Sequence, residues 1–490
     1  MMGKKIIFIN PPTMDSAYRE LRRFAFIVAP MGMAYIASYL ESKNITVDII
    51  DCDALGLDIA ATTQILKKEK PKYVGLMAMT ATMEIAKEMI QEVRRYIPET
   101  VIILGGVHGT ALPKRTLEEI PQLDVVVMGE GEHTTYELIK TMASDAKLEE
   151  LLKVKGICFR YDGKIYENQR RPYISDLDSL PFPARHLLPM DVYEGSGWFR
   201  WILGFVKPFT SIFTSRGCPF NCNFCAAHIM CGRKVRYRSV DQVMEEIDYL
   251  KETYNIKILT FQDDTFTLNK ERAIIICREL IKRDYKLFMT CGTRVDLVDE
   301  ELLGYMKKAG FEWIFFGVES GNQEILKRCN KNTSLDQIKR AFYLTNKAGI
   351  GTHAGMILGH IGETKETAME TIRFLLELMP DYAALPTMIP FPGSKAWDYC
   401  LENDIPLPQK WNDFGMVNSI PIAVNPGLNS KTLLKLRDKA ILQYYANPKR
   451  LWKLFSDKRY NKKLLLHDHI YNSYALILRK IRQTQKLMER

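Results

Sequence analysis

Apolar runs alternate with segments of helical spacing along the first 145 residues of the chain. Five runs are rich in Val and Ile and end at Gly, Pro or a polar residue, which predicts buried strands. They are KKIIFINPP, TVDIIDCDA, KYVGLMAMT, TVIILGGVHG and DVVVMGEGE. The segments between them, such as MEIAKEMIQEVRRYI, repeat apolar residues every three or four positions. This alternation predicts an α/β domain in residues 1–145, built on a doubly wound, Rossmann-like parallel sheet.

A second alternating series follows in residues 209–410. Its six predicted strands are PFTSIFTSRG, KILTFQDD, KLFMTCGTR, WIFFGVES, GTHAGMILG and YAALPTMIPF. Six strand–helix units suit a partial (β/α)6 barrel, whose active site lies at the carboxyl ends of the strands. Residues 146–208 are predicted to form a connector with a hairpin, KGICFRYDGKIYENQ, and a proline-rich strap, DLDSLPFPARHLLP. Residues 411–490 are predicted to be helical and basic.

Strand ends in the first domain carry small or polar residues, at the edge where ligands bind in doubly wound sheets. These candidate ligand-binding residues are Thr80, Thr82, Gly105, Gly106, Gly129, Glu130 and Gly131. Paired glycines allow a bulky ligand to approach the backbone closely. The plainer alternative is that these segments are only tight turns between a strand and a helix.

Composition indicates an ordinary globular protein, with 47% hydrophobic and 26% charged residues. The uncharged run at residues 24–40 is only 17 residues long and is broken by Pro30 and Gly32, which favours a buried helix over a membrane span. The start MMGKKIIFINPP lacks the pattern of a signal peptide. The ten cysteines show no disulfide spacing, so we expect a reducing, cytoplasmic setting.

The net charge of +10 is concentrated in the C-terminal tail. Residues 431–490 hold 16 Lys and Arg against 4 Asp and Glu. Such a tail suits an anionic membrane surface, an acidic partner or nucleic acid, or is simply a solvated helical face. We expect no nucleic-acid partner, and we keep peripheral contact with an anionic membrane as a hypothesis.

Three cysteines in ten positions form the most informative motif. RGCPFNCNFCAAH spaces Cys218, Cys222 and Cys225 as C-x-x-x-C-x-x-C at the end of the first predicted barrel strand. Structural zinc sites use four ligands, and disulfide frameworks occur in small secreted chains. Three thiolates can instead hold three irons of a [4Fe–4S] cluster and leave the fourth open. Cys231 and His228 are weaker candidates for a fourth ligand.

The motif resembles that of the radical S-adenosylmethionine (SAM) superfamily. In that family, the open iron chelates the amino and carboxylate groups of SAM, which is cleaved reductively to a 5′-deoxyadenosyl radical. Phe224, just before the third cysteine, matches the family's aromatic residue near adenine. The resemblance implies a [4Fe–4S] cluster on the three cysteines and SAM as a cofactor.

Two further strand ends match SAM-binding segments of this superfamily. FFGVESG resembles the segment that contacts the ribose, which implies roles for Glu319 and Ser320. GMILG matches the G-x-I-x-G pattern near adenine through Gly355, Ile357 and Gly359. One departure is GHIGET at 359–364, where relatives typically read GLPGET, so the shape of this loop is open.

A doubly wound domain before such a barrel resembles the cobalamin-dependent class of radical SAM enzymes, including hopanoid-type enzymes. The segments PMGMAYIASYLE, LGGVHGT and VVVMGEGEHTTYEL match its cobalamin-binding domain. The resemblance therefore implies cobalamin at the strand-end residues of the first domain. No histidine lies in the D-x-H-x-x-G motif of methionine-synthase-type cobalamin domains, so we name no histidine as the lower cobalt ligand, and that ligand stays open.

The resemblance implies methylation of an unactivated carbon on an apolar small molecule, with a reductant such as flavodoxin or ferredoxin. Two alternatives remain open. One is radical oxidative cyclisation or rearrangement of a tetrapyrrole or lipid, as in the anaerobic magnesium-protoporphyrin ester cyclase. The other is a cobalamin or iron–sulfur sensor without turnover. Aromatic residues between 380 and 430 either line an apolar pocket or belong to the core.

Overall fold

The computed structural model describes residues 5–14, 27–144, 147–195, 207–415, 421–425 and 427–457. The five strands predicted in the first domain are present and pair in parallel. They are β1 (Lys5–Asn10), β2 (Thr46–Asp51), β3 (Tyr73–Met77), β4 (Val101–Gly105) and β5 (Val125–Val127). The strand order β2-β1-β3-β4-β5 is that of a doubly wound sheet.

Helices lie between these strands. They are α1 (Met31–Glu41), α2 (Cys52–Leu55), α3 (Ile59–Glu69), α4 (Met83–Tyr96), α5 (Val107–Ala111), α6 (Pro113–Glu119), α7 (Gly131–Thr141) and α8 (Leu148–Leu151). Helix α1 starts directly after Pro30, which confirms the buried helix predicted there. No helix within the described ranges is long and apolar enough to cross a membrane.

The hairpin that we assigned to the connector belongs to the first sheet. Its strands β6 (Ile157–Tyr161) and β7 (Lys164–Glu167) are antiparallel, and β6 pairs with β5. The pairing places Val127 opposite Ile157, so an otherwise exposed edge of the parallel sheet is covered. The sequence pattern identifies a hairpin, but its docking on β5 depends on contacts between distant segments.

The second sheet contains the six predicted barrel strands, all parallel, in the order β15-β14-β13-β12-β11-β8. They are β8 (Phe209–Ile212), β11 (Ile258–Phe261), β12 (Phe288–Thr293), β13 (Phe311–Glu319), β14 (Gly351–Met356) and β15 (Tyr382–Ala384). The sequence did not predict a short antiparallel ribbon, β9 (Ser215–Arg216) with β10 (Arg236–Tyr237). This ribbon brackets the cysteine segment.

Helices pack around this second sheet and continue into the C-terminal region. They are α9 (His228–Cys231), α10 (Val240–Tyr254), α11 (Lys270–Arg283), α12 (Glu300–Ala309), α13 (Gln323–Arg328), α14 (Leu335–Lys347), α15 (Lys365–Leu378), α16 (Lys395–Glu402), α17 (Ser430–Tyr445) and α18 (Pro448–Ser456). Side-chain caps mark several starts; Ser239, for example, accepts a hydrogen bond from the main chain of Gln242 before α10. The predicted partial barrel is thus confirmed, and so is the helical C-terminal region up to residue 457; residues 458–490 lie outside the described ranges.

After β15 the chain returns to the first domain and covers one face of its sheet. The indole Nε1 of Trp411 donates to Glu119 at 2.7 Å, and its main-chain nitrogen donates to Glu84 at 3.2 Å. Trp397 and Phe414 are buried beside it. These aromatic residues, which the sequence left between pocket and core, are therefore part of the core.

A buried ion pair fastens the proline-rich strap to the second domain. Arg185 in the strap contacts Glu246 of α10 at 2.6 Å, and both side chains are 0% exposed. Arg238 pairs with the other oxygen of the same carboxylate. Arg185 also donates to the main-chain carbonyl of Ser211 on β8 at 2.8 Å. Removing the carboxylate would leave two guanidinium groups without a buried counter-charge.

Replacing Glu246 with Gln is expected to lower the free energy of unfolding by about 3–5 kcal/mol, because a buried pair loses one partner. Urea unfolding followed by far-ultraviolet circular dichroism measures the change. The matched control is Glu245→Gln on the exposed side of the same helix, for which we expect a change within about 0.5 kcal/mol. Equal destabilisation by the two substitutions would contradict this account.

Candidate functional site

The cysteine loop begins at a glycine that no other residue can replace without strain. Gly217 has φ of +101°, and an added Cβ would lie 2.8 Å from the carbonyl oxygen of Lys234. The main-chain nitrogen of Cys218 donates to the carbonyl of Gly232 at 3.2 Å. The ribbon of β9 and β10 therefore brings both ends of the loop together.

Asn223 fastens the middle of the loop to the segment after β13. Its main-chain nitrogen donates to the carbonyl of Cys329 at 3.0 Å, and its side-chain amide donates to the carbonyl of Arg328 at 3.2 Å. Within the loop, the nitrogen of Cys225 donates to the carbonyl of Cys222 at 3.2 Å. The loop is thus held on the same strand-end edge as the other candidate residues.

The three thiols are half-buried, and Cys218 lies close enough to the other two to raise their pKa values. Burial raises the pKa of Cys225 to about 11, and it also raises the pKa of Cys222. Lys331 opposes this effect at Cys222. Soft thiolates are the usual ligands of iron–sulfur clusters, and iron binding takes the place of the thiol proton. In the described ranges, no group of three or more His, Cys, Asp or Glu side chains has an arrangement that could hold a single metal ion.

A buried ion pair lies beside the cysteine loop, and the sequence did not predict it. Lys331 Nζ contacts Glu319 Oε1 at 2.9 Å, and both side chains are at most 10% exposed. Burial alone would lower the pKa of Lys331, but the pairing with Glu319 outweighs it and raises the pKa. Arg294 donates to the carbonyl of Lys331 at 2.7 Å and lies over the ring of Phe220. Opposite charges therefore stand next to Cys222.

Most of the residues that the resemblance assigns to SAM come together around Glu319. Glu319 ends β13 with φ of +67°, and its carbonyl accepts a hydrogen bond from the nitrogen of Ile357 at 2.8 Å. Gly355 lies on β14, two residues before Ile357, and a Cβ added there would meet the ring of Phe315 at 2.7 Å. Ser320, by contrast, is fully buried and bonds Thr371 of α15 at 3.0 Å.

The departure at GHIGET places a histidine against the cysteine loop. Gly359 has φ of +91°, which glycine adopts readily. The ring of His360 lies 5.4 Å from the ring of Phe224 and is fully buried. Burial lowers the pKa of His360 to about 4, and the charge of Glu319 and a hydrogen bond with its main chain partly oppose this effect. The loop thus has a polar group where an apolar one is usual.

A cavity of about 270 Å³ lies between the carboxyl ends of the strands in the first sheet and the carboxyl ends of β8 and β11 in the second. Five predicted residues of the first domain line it, namely Gly105, Gly106, Gly129, Glu130 and Gly131. A Cβ added at Gly105 or Gly129 would meet no atom closer than 3.9 Å, so a side chain there would take up free space. Glycine at these positions fits a bulky ligand that approaches the backbone.

The opposite wall of the cavity comes from the second domain. Cys231 of α9 and Asp264 after β11 are on this wall, together with apolar and polar side chains, whereas most of the apolar lining comes from the first domain. Neighbouring Asp263 is fully engaged, since it accepts hydrogen bonds from Thr214 and Ser215. Burial raises the pKa of Asp264, whose carboxylate has no hydrogen-bond partner among the described residues. One carboxylate is therefore free to meet a ligand.

Two predicted residues of the first domain lie away from this cavity. Thr80 and Thr82 are buried in a short turn after β3 that packs on the Trp411 segment. The hydroxyl of Thr80 is 3.3 Å from the imidazole of His108, and Thr82 bonds the main-chain nitrogen of Met79. Burial lowers the pKa of His108 to about 4. A role for the two threonines in ligand binding remains a prediction.

Sequence reasoning missed Lys331 and the arginines of the ribbon. Lys331 lies in an ordinary polar turn, NKN, and Arg216 precedes the cysteines without any motif of its own. Only their positions in the chain pointed to them, because Lys331 follows the FFGVESG segment and Arg216 precedes the cysteine motif. The arginines find their buried partner Glu130 in a distant part of the chain, and Lys331 meets Glu319 twelve residues earlier.

Comparison with known proteins agrees with this geometry. Residues 212–375 match the family model of the radical SAM superfamily, and residues 21–139 match that of the B12 binding domain. An uncharacterized methyltransferase of Pyrococcus horikoshii is 33% identical over 92% of this chain and 95% of its own length. The anaerobic magnesium-protoporphyrin IX monomethyl ester cyclase of Rubrivivax gelatinosus is 33% identical over 80% of this chain and 69% of its own.

A solved structure shares the fold over nearly the whole chain. The cobalamin-dependent SAM radical enzyme OxsB, with aqua-cobalamin and SAM bound, has a TM-score of 0.73 at 20% identity, covering 97% of this chain and 72% of that one. The cysteine loop, the glycine-lined cavity and these similarities agree. The chain therefore belongs to the cobalamin-dependent radical SAM methyltransferase family, and its cofactors are a [4Fe–4S] cluster, SAM and cobalamin.

Proposed function

We propose that the chain transfers a methyl group to an unactivated carbon of an apolar small molecule. The observation that carries this proposal is the cavity that joins the glycine edge of the first domain to residues next to the cysteine loop. A substrate held there would lie between the two cofactor-binding regions. The mainly apolar lining favours an apolar substrate body, and the carboxylate of Asp264 offers a position for one hydrogen-bond donor.

When bound, the cluster with SAM supplies a carbon-centred radical, and cobalamin supplies a methyl donor. The chain positions these groups and excludes water. We assign Cys218, Cys222 and Cys225 to the cluster. Glu319 and Lys331 present opposite charges beside Cys222, which suits the amino and carboxylate groups of SAM. Phe224 and Ile357 provide apolar contact for its adenine.

Oxidative cyclisation is the second candidate, because one relative that is 33% identical is a ring cyclase. Both reactions would use the same cofactors, so the protein geometry does not separate them. The fate of the methyl group does. In methylation, the group from SAM appears in the product, whereas cyclisation removes hydrogen from the substrate and adds no methyl group.

We further propose a small-molecule substrate, a flavodoxin- or ferredoxin-type reductant, and a cytoplasmic location with peripheral contact to an anionic membrane. All ten cysteines are free, in keeping with a reducing compartment. The membrane contact rests on the basic composition of the C-terminal tail, whose residues 458–490 lie outside the described ranges.

Substituting Cys222 with Ala should abolish cluster binding and reductive cleavage of SAM, because one iron loses its ligand. The measurement is iron content after anaerobic reconstitution, followed by deoxyadenosine formation with SAM and reductant. Cys231→Ala is the matched control and should keep both properties. Loss of iron in the control would make Cys231 a ligand. Failure of the reconstituted wild-type chain to cleave SAM would favour the sensor alternative.

Incubation with SAM carrying a CD3 group should yield a product that contains the intact CD3 group. The holoenzyme is given a reductant and fractions of an apolar extract as the source of substrate. Mass spectrometry then measures the mass of each product. The Cys222→Ala variant is the blank. A product that has lost hydrogen and carries no deuterium would replace methylation by cyclisation.

Truncation after residue 457 should reduce partition onto phosphatidylglycerol vesicles, because a polybasic tail gains about 1 kcal/mol per charge near an anionic surface. Sedimentation of the full and truncated chains with vesicles measures this effect. Phosphatidylcholine vesicles serve as the control. Equal partition of the two chains onto anionic vesicles would remove the membrane proposal.

A further inference from the structure

Four buried charges join the first domain to the base of the cysteine loop. We call this set, Glu130, Glu132, Arg216 and Arg236, the Glu–Arg clamp. Arg216 contacts Glu130 at 3.0 Å and Glu132 at 2.6 Å, while Arg236 contacts Glu130 at 2.8 Å. Two carboxylates thus face two guanidinium groups, and charge is balanced within the set.

The two halves of the clamp come from opposite sides of the cavity. Glu130 and Glu132 flank Gly131 at the start of α7, directly after the glycine edge of the first sheet. Arg216 ends β9, two residues before Cys218, and lies opposite Arg236 in the ribbon. The clamp therefore connects the residues that border the cavity on one side with the cysteine loop on the other.

Further hydrogen bonds give the clamp a single arrangement. Glu130 accepts from the main-chain nitrogen of Ile174 at 2.7 Å. Arg236 donates to the carbonyls of Ile174 at 2.6 Å and Cys231 at 2.8 Å. The guanidinium of Arg216 also lies 5.0 Å from the centre of the Tyr35 ring. A second arrangement would break several of these bonds at once.

Because the clamp is buried, its charged groups must stay paired. The four side chains are between 3% and 11% exposed, so water does little to solvate them. Buried charges persist only when they are paired and hydrogen-bonded, and removing one partner leaves the other without compensation. Surface pairs in this molecule, such as Lys347 with Glu300, lack this restriction. The clamp is consequently a rigid spacer between the two domains.

We propose that Glu130 and Arg216 are positioning residues that set the separation between the cluster and cobalamin. The proposal rests on the cofactor assignment and not on the choice of methylation over cyclisation. Reactions between held groups are sensitive to misplacement of about 1 Å, which can lower a rate about 100-fold. A fixed spacer is the simplest way to keep two large cofactors in register across a domain boundary.

The test measures the separation directly. Wild-type holoenzyme is reconstituted anaerobically and reduced so that the cluster and cobalt each carry an unpaired electron. Pulsed electron paramagnetic resonance then gives the distribution of distances between them. Glu130→Gln removes one charge while its amide can still accept from Ile174, and Arg216→Lys keeps the charge but loses the fork that reaches both glutamates.

We expect a broader distance distribution, with a shifted mean, in both variants. The matched control is Glu137→Gln. Glu137 lies on the same helix α7 but outside the clamp, and the substitution removes its ion pair with Arg171. It should give the wild-type distribution. Iron and cobalt contents and urea unfolding confirm that each variant is folded and loaded.

A wild-type distribution in loaded Glu130→Gln and Arg216→Lys would overturn the proposal. If Glu130→Gln does not retain both cofactors, the distribution of Arg216→Lys decides alone, because lysine preserves the charge balance. Broadening in Glu137→Gln as well would also overturn it, since the effect would then be general loosening of the first domain.

Discussion

The two large sheets of this molecule are built on parallel strands, and parallel strands send every following loop out at the same edge. This constraint determines where chemistry is possible. In the first sheet, the glycines after β4 and β5 emerge together. In the second, the cysteine loop, Glu319 and the segment after β14 emerge together. Because the two edges face a common cavity, groups bound by one domain can react with groups bound by the other.

Buried ion pairs hold the joints between these parts. Glu246 with Arg185 and Arg238 connects the strap to the barrel, and Arg216 with Glu130 and Glu132 connects the barrel to the first domain. Buried pairs of this kind add little net stability compared with apolar packing, but they strongly disfavour alternative arrangements. Their concentration at domain boundaries suits an enzyme whose cofactors must keep a defined separation.

Apolar packing connects the domains over a larger area. The return segment around Trp411 covers the first sheet, and one core continues from α1 and α7 to Phe209, Phe288 and Trp313 at the other end of the barrel strands. The domains therefore share cores as well as a cavity. This continuity explains why aromatic residues late in the chain serve the fold and do not line the pocket.

The sequence by itself determined the strands of the two parallel sheets, most helices and the cysteine motif, because strand and helix periodicity and ligand spacing are local properties. The family resemblance of short motifs at strand ends also marked Glu319, Gly355 and Ile357 as candidate SAM-binding residues. The tertiary structure decided what depends on distant partners. Docking of the β6–β7 hairpin, the Arg185–Glu246 pair and the Glu–Arg clamp each join residues far apart in the chain. No local pattern encodes such pairings, since a buried charge and an exposed one look alike until the fold brings their partners together.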